Sequence, residues 1–190
     1  SRDGRVGNGV GLDTPESVIE GLRALAAAGY AARDLPGDGR ALLERLTVHV
    51  TNAPEGLAVR SAEQSLSLDE YTAFVATLPV ELMAAVDARW GPVERDPRFR
   101  RGRLALSGVQ LGELFVGIQP ARGYELDAAA TYHDPDLVPP HGYLAFYAWL
   151  RRVYRAHAVV HVGKHGNLEW LPGKSVALGP SCWPDALLGP

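Results

Sequence analysis

Fourteen residues, HVGKHGNLEWLPGK, run from His161 to Lys174 and gather most of the reactive chemistry of this chain. They hold two imidazoles (His161 and His165), the carboxylate of Glu169, the ammonium groups of Lys164 and Lys174, and the indole of Trp170, among three glycines and one proline. Imidazole and carboxylate suit borderline divalent metals such as Co²⁺ and Zn²⁺. The same groups move protons near neutral pH. His165 and Glu169 lie four apart, so a helical turn beginning near Asn167 would carry Glu169 back toward His165. The reading is of His161, His165 and Glu169 as a metal set, with His165 and Glu169 also fit to transfer protons. Which is ligand and which is base stays open. Each residue has an ordinary alternative, a satisfied core histidine or a surface acid; the grouping within nine residues argues for a site.

A second cluster, Tyr132-His133-Asp134 followed by His141, sits in a proline-stiffened loop. Its ordinary account is a turn held by Asp134. Its functional account is a proton relay through His133 and His141. Three motifs fail. Gly173-Lys174-Ser175 resembles the end of a phosphate loop, but the required earlier glycine is Leu168, and Pro172 removes an N–H donor from the cradle. A zinc-protease helix needs its glutamate between two histidines, and Glu169 lies outside the His161–His165 pair. One cysteine, Cys182, excludes a cysteine-rich zinc ribbon and reads as an inert buried thiol.

These residues need elements to hold them. Ala158–Val162 reads as a strand apolar on both faces, which places Gly163–Asn167 in the loop at its carboxyl end, where open α/β sheets bind ligands. His141–Arg155 reads as an amphipathic helix rich in aromatics. Upstream, Thr14-Pro15-Glu16 starts a helix that Gly29 stops, Asp38 caps a second, Ser67 starts a third, and Val80–Arg89 forms a fourth that ends at Gly91-Pro92. Thr51–Ser67 reads as irregular. Leu104–Ser107 and Leu114–Gln119 read as strands pairing across Gly108–Glu113. The fold class is therefore α/β, an open and at least partly parallel sheet flanked by helices, with a helix-rich N-terminal half.

Bulk properties exclude several classes. The net charge is −3, and the one basic cluster, Arg98, Arg100, Arg101 and Arg103, reads as a solvated loop, so nucleic-acid binding is disfavoured. No apolar run is long enough to span a membrane, and the first residues lack the apolar core of a signal peptide. A single cysteine fits a cytoplasmic setting. The chain opens without Met inside a glycine-rich loop and reads as an excised segment.

The run His161-x-Gly163-x-His165-Gly166-x-Leu168-Glu169-x-x-Pro172-Gly173-Lys174 resembles the signature of the large subunit of class I metal chelatases, a family shared by cobalt (CobN-type) and magnesium enzymes. GRVGNGVGLDTPESVIEGLRALAAAGY, LFVGIQPARGY and YHDPDLVPPHGYLAFYAWL extend the likeness, which is nearer the cobalt branch; Thr47–Arg103 is its weak part. The resemblance implies a tetrapyrrole-binding subunit of an ATP-dependent ligase that forms nitrogen–metal bonds. It would insert Co²⁺ into hydrogenobyrinic acid a,c-diamide on the way to cobalamin. Magnesium insertion into protoporphyrin IX, or a non-catalytic scaffold, are the alternatives. ATP would be hydrolysed by an AAA+ motor and its companion subunit, not bound here. Arg122, Lys164 and Lys174 would meet the acidic arms of the corrin, and Trp170 and Tyr143 would face the ring. Phe146 and Trp149 read as core. The whole of residues 1–190 reads as one α/β segment, with a helical sub-region over about 36–95 and the metal and tetrapyrrole region over about 103–190. Alone, the segment is expected to be inactive.

Overall fold

Several helix starts in this chain are written by side chains that answer the unpaired N–H groups of the first turn. The computed structural model describes residues 6–9, 11–124, 134, 136–163, 166–173 and 179–189, the side chains of Asn8, Gly9 and Glu169 lying outside that description. Two short strands, β1 (Asn8–Gly9) and β2 (Leu12–Asp13), lead into α1 (Thr14–Ala27). The cap of α1 is Asp13, one residue before the expected Thr14: its carboxylate accepts from Glu16 N at 3.1 Å. A carboxylate at this end also answers the positive end of the helix dipole. Asp38 caps α2 (Gly39–Val48) as the sequence predicts, accepting from Ala41 N at 2.8 Å.

The chain forms two units. The first comprises residues 1–64, 107–119 and 160–166. In it α1 and α2 pack through Ile19, Leu22, Leu42 and Leu46 against Val109, Leu111 and Ile118. The last three belong to or follow a hairpin of β6 (Gly108–Leu111) and β7 (Leu114–Gly117). Its two-residue turn starts at Gly112, where φ is +74° and an added Cβ would lie 2.2 Å from the Ala31 carbonyl oxygen. Only glycine fits, because Ala32 bridges to Gly112 at that point.

The second unit comprises residues 65–106, 120–159 and 167–190. It holds α4 (Leu68–Val75), α5 (Val80–Trp90), α6 (His141–Ala148) and α7 (Trp183–Leu188); α3 (Pro54–Leu57) lies in the first unit. Thr51–Ser67, expected to be irregular, thus contains α3 and also β3 (Gln64–Ser67). A three-stranded sheet runs in the order β3–β5–β4, with β4 at Phe99–Arg100 and β5 at Arg103–Leu106. All eight residues of α6 are buried, so the part of the stretch read as amphipathic has no solvent-facing side: a helix apolar all round is buried all round. A π-turn, Trp149–Val153, continues it, closed by Tyr154 N donating to Trp149 O at 2.9 Å. Phe146 and Trp149 are core, as read from the sequence.

Several expectations need correction. Leu104–Leu106 does not pair with Leu114–Gly117; β5 joins β4, and β6 pairs with β7 in the register Val109↔Val116 and Leu111↔Leu114. The short GVQL run is a strand where a connection was expected; its alternation puts Val109 and Leu111 inward and leaves Gln110 exposed. The ladders β1–β2, β4–β5 and β6–β7 are all antiparallel, where an at least partly parallel sheet was expected. Only two residues separate the strands of each of these three pairs, too few for the crossover that parallel pairing needs. Ala158–Val162 carries no strand pairing among the described residues and is exposed rather than covered, Val160 at 79%.

Arg98 is likewise not a solvated loop residue: it is 2% exposed. Beside it Asp96 accepts from Arg98 N at 2.8 Å, from Gly142 N at 2.7 Å and from the Tyr124 hydroxyl. Asp96 therefore caps α6 from a distant loop, where Pro140 has no side chain to do so. Burial, and then the Asp96 charge, push the Tyr124 phenol well above its ordinary value, so it stays a donor.

Candidate functional site

The turn that carries Glu169 is the short 3₁₀ segment Leu168–Trp170, so a helical turn does begin after Asn167. Trp170 N and Leu171 N donate to the carbonyls of Asn167 and Leu168, each at 3.2 Å. Leu168 and Leu171 are buried and seat the turn; Trp170 is 50% exposed and presents its indole outward. The backbone at Glu169 is thereby placed, while its carboxylate belongs to the side chains outside the description. Downstream, the Cys182 thiol donates to Gly173 O at 2.6 Å and accepts from Gly179 N at 3.2 Å, and Trp183 N donates to Pro172 O at 3.3 Å. The cysteine is a buried clip on the loop that leaves the turn, in keeping with an inert thiol.

The turn is also held from the side. Asn167 donates through Nδ2 to Pro120 O at 2.9 Å and accepts through Oδ1 from the Tyr143 hydroxyl at 2.7 Å. Arg122, almost fully buried, donates to the Trp170 carbonyl. Two expectations change here. Tyr143 is 0% exposed and spends its hydroxyl on Asn167, so in this structure it presents no face to a bound ring. Arg122 is engaged with backbone inside the unit instead of standing open to an acidic ligand. Sequence reasoning names Asn167 only as the place where the turn begins, not as a residue that holds it. Its signal is an asparagine directly before a turn, a common capping position, together with a tyrosine whose hydroxyl must find a partner once buried.

The remaining candidates fall as follows. His161 is exposed and belongs to the first unit, not packed as a core histidine. The Leu168–Trp170 turn belongs to the second. His133, Lys164, His165 and Lys174 lie outside the described residues. Among the described residues no three His, Cys, Asp or Glu side chains are grouped to hold a metal ion.

His141, the second member of the expected relay, is 2% exposed. Its Nε2 lies 2.8 Å from Gly91 O, and a carbonyl only accepts, so Nε2 carries the proton. Nδ1 is then the acceptor for the Tyr71 hydroxyl at 2.7 Å. Burial, and then the charges of Asp96 and Asp87, raise the Tyr71 phenol well above its ordinary value, which keeps that donor protonated. With both nitrogens engaged, His141 ties α4, the end of α5 and the start of α6 together. It lines a largely apolar cleft of about 460 Å³ with Tyr71, Met83, Asp87 and Pro92.

A family model described as CobN/Magnesium Chelatase matches residues 1–190. The chain is 60% identical over 190 residues to the aerobic cobaltochelatase subunit CobN of Pseudomonas aeruginosa and 53% identical over 190 residues to that of a Sinorhizobium species, covering 100% of this chain and 15% of each relative. A magnesium-chelatase subunit of Chlorobaculum parvum is 34% identical over 190 residues, covering 94% of this chain and 14% of that protein. Among solved structures, the catalytic subunit of cobaltochelatase from Mycobacterium tuberculosis superposes with a TM-score of 0.81 at 43% identity, over 96% of this chain and 16% of that one. The chain thus spans about 15% of the length of the curated relatives it matches.

Proposed function

Because this chain belongs to the CobN/magnesium chelatase family along its whole length, we propose that it is a segment of the tetrapyrrole-binding subunit of an ATP-dependent cobaltochelatase. The full subunit inserts Co²⁺ into hydrogenobyrinic acid a,c-diamide, with ATP hydrolysed by an AAA+ motor and its companion subunit. One observation carries the choice of metal: identity is 60% and 53% to cobaltochelatase subunits but 34% to the magnesium-chelatase relative. The donor set agrees with it, since magnesium prefers oxygen ligands and holds its water, while imidazole suits cobalt.

Insertion poses three physical demands: the ion sheds water, the ring loses its inner N–H protons, and the macrocycle is held against the donor. In the proposed division of labour His161 and His165, as neutral imidazoles, replace water on the incoming ion. Glu169, with His165, receives ring protons, and His133 passes them to solvent. Trp170, half exposed on its turn, offers an apolar face to the ring. Lys164 and Lys174 pair with acidic side arms. Arg122 holds the turn through the Trp170 carbonyl, and its other donors are those that would meet an acidic arm. Leu168, buried in a 3₁₀ turn, and Pro172 occupy the positions a phosphate loop would need, which supports assigning ATP to partner subunits.

The test is metal insertion by the full-length subunit with its partner subunits, supplied with Co²⁺ or Mg²⁺. Cobalt should be inserted in preference. His165→Ala and Glu169→Gln should each lower turnover by about 100-fold or more, the scale of a lost proton-transfer group. Preference for Mg²⁺ would move the protein to the magnesium branch. Unchanged turnover in both variants would leave this segment as a scaffold.

A further inference from the structure

A three-residue 3₁₀ turn has poor hydrogen-bond geometry and does not hold a fixed direction by itself. The turn Leu168–Trp170 is instead fixed at both ends by side chains from elsewhere in the same unit. At its start, Asn167 is held between Tyr143 of α6 at 2.7 Å and the Pro120 carbonyl at 2.9 Å. At its end, the Trp170 carbonyl accepts from the buried guanidinium of Arg122. We infer that Tyr143, Asn167 and Arg122 form a brace that sets the direction in which Glu169 leaves the chain, and are positioning residues for that carboxylate. The inference rests on the reading of Glu169 as a proton acceptor given above.

Three features favour this over simple satisfaction of buried polar groups. The three side chains come from separate stretches of chain, the loop after Pro120, the helix α6 and the start of the turn itself, yet their contacts converge on the two ends of the turn whose middle residue is Glu169. The contacts fall at both ends of the turn, on the Asn167 side chain before it and on the Trp170 carbonyl at its end. Leu168 and Leu171 are buried and seat the turn, while Trp170 is half exposed. A proton acceptor works only within hydrogen-bond reach of its donor, and a displacement of about 1 Å costs roughly 100-fold in rate.

The experiment uses the full-length subunit with its partner subunits and combines Tyr143→Phe with Glu169→Gln. Tyr143→Phe removes one hydroxyl and keeps the ring against Tyr147, 5.2 Å away between centroids. It should lower kcat about tenfold or more while leaving KM for the tetrapyrrole within about twofold, the mark of an interaction expressed in the transition state. In the Glu169→Gln background it should cost almost nothing further, because a brace has no effect once the group it aims is gone. Arg122→Lys, at the other end of the turn, repeats the test without touching the buried hydroxyl, and thermal unfolding checks that each variant folds. If the two losses multiply, or if both brace variants turn over like wild type, the brace is overturned while the reading of Glu169 stands. If Glu169→Gln alone is fully active, that reading fails and the brace falls with it.

Discussion

At His141 two hydrogen bonds decide what the residue can do. Donation from Nε2 to Gly91 O fixes the tautomer, and the Tyr71 hydroxyl then fills Nδ1. A relay needs a nitrogen free to change partners, and here neither is. Tyr71→Phe should therefore act on stability: it leaves a buried imidazole nitrogen without its donor, at a cost of about 1–2 kcal/mol, read as a lower unfolding midpoint. The chemistry of single residues is legible in the sequence, but their address is not. His133 and His141 look equivalent in a loop of prolines, and only the arrival of Tyr71 from α4 shows that His141 is a tie between helices. Arg98 and Arg103 stand five apart in one basic run, yet Arg98 is buried beside Asp96 and Arg103 remains exposed with Ser65. Nothing in the charge pattern separates them, because the difference is made by residues far along the chain.

Helix termini are the most legible elements, because a cap and the groups it answers lie within one turn. Asp38 and Ser67 cap α2 and α4 as the sequence predicts. At α4 the cap is reciprocal: Ser67 Oγ accepts from Glu70 N at 3.2 Å, and Glu70 Oε2 accepts from Ser67 N at 2.9 Å and from the Ser67 hydroxyl at 2.6 Å. The Ser67 hydroxyl, and then its backbone N–H, hold the Glu70 carboxyl below the ordinary carboxylate range. A folded-state value below the unfolded one gives stability that is present above the unfolded value and lost as pH falls through the folded value. Glu70→Gln keeps the geometry of the box without the charge. It should lower the hydrogen-exchange protection of α4 by only about a few tenths of a kcal/mol near neutral pH, since the group is exposed, and by progressively less as pH falls through the folded-state value. Strand pairing is less legible. Leu114–Gly117 is recognisable as a strand, but its partner is not, because β5 is claimed by β3 and β4 through contacts that local pattern does not contain.

Over the whole molecule, each unit is assembled from three separate stretches of chain, so the core of one is interrupted in sequence by the other. Such long-range assembly is invisible to periodicity, and the expected sub-regions over about 36–95 and 103–190 assume a contiguous order instead. The motif His161–Lys174 is legible as a family signature because its residues are adjacent, and the family match over residues 1–190 agrees with it. The parallel sheet is not, since the run that would anchor it, Ala158–Val162, has no strand pairing among the described residues. That run has a practical consequence. Val159, Val160 and Val162 are β-branched, carry no charge and stand open to water at 45%, 79% and 42%. An exposed, uncharged stretch of strand-forming residues is a template for adding another chain. Prepared by itself, the segment should self-associate through this seam, and Val160→Lys should suppress the light scattering that develops on concentration. Scattering that is unchanged by the added lysine would show that the copies stick elsewhere.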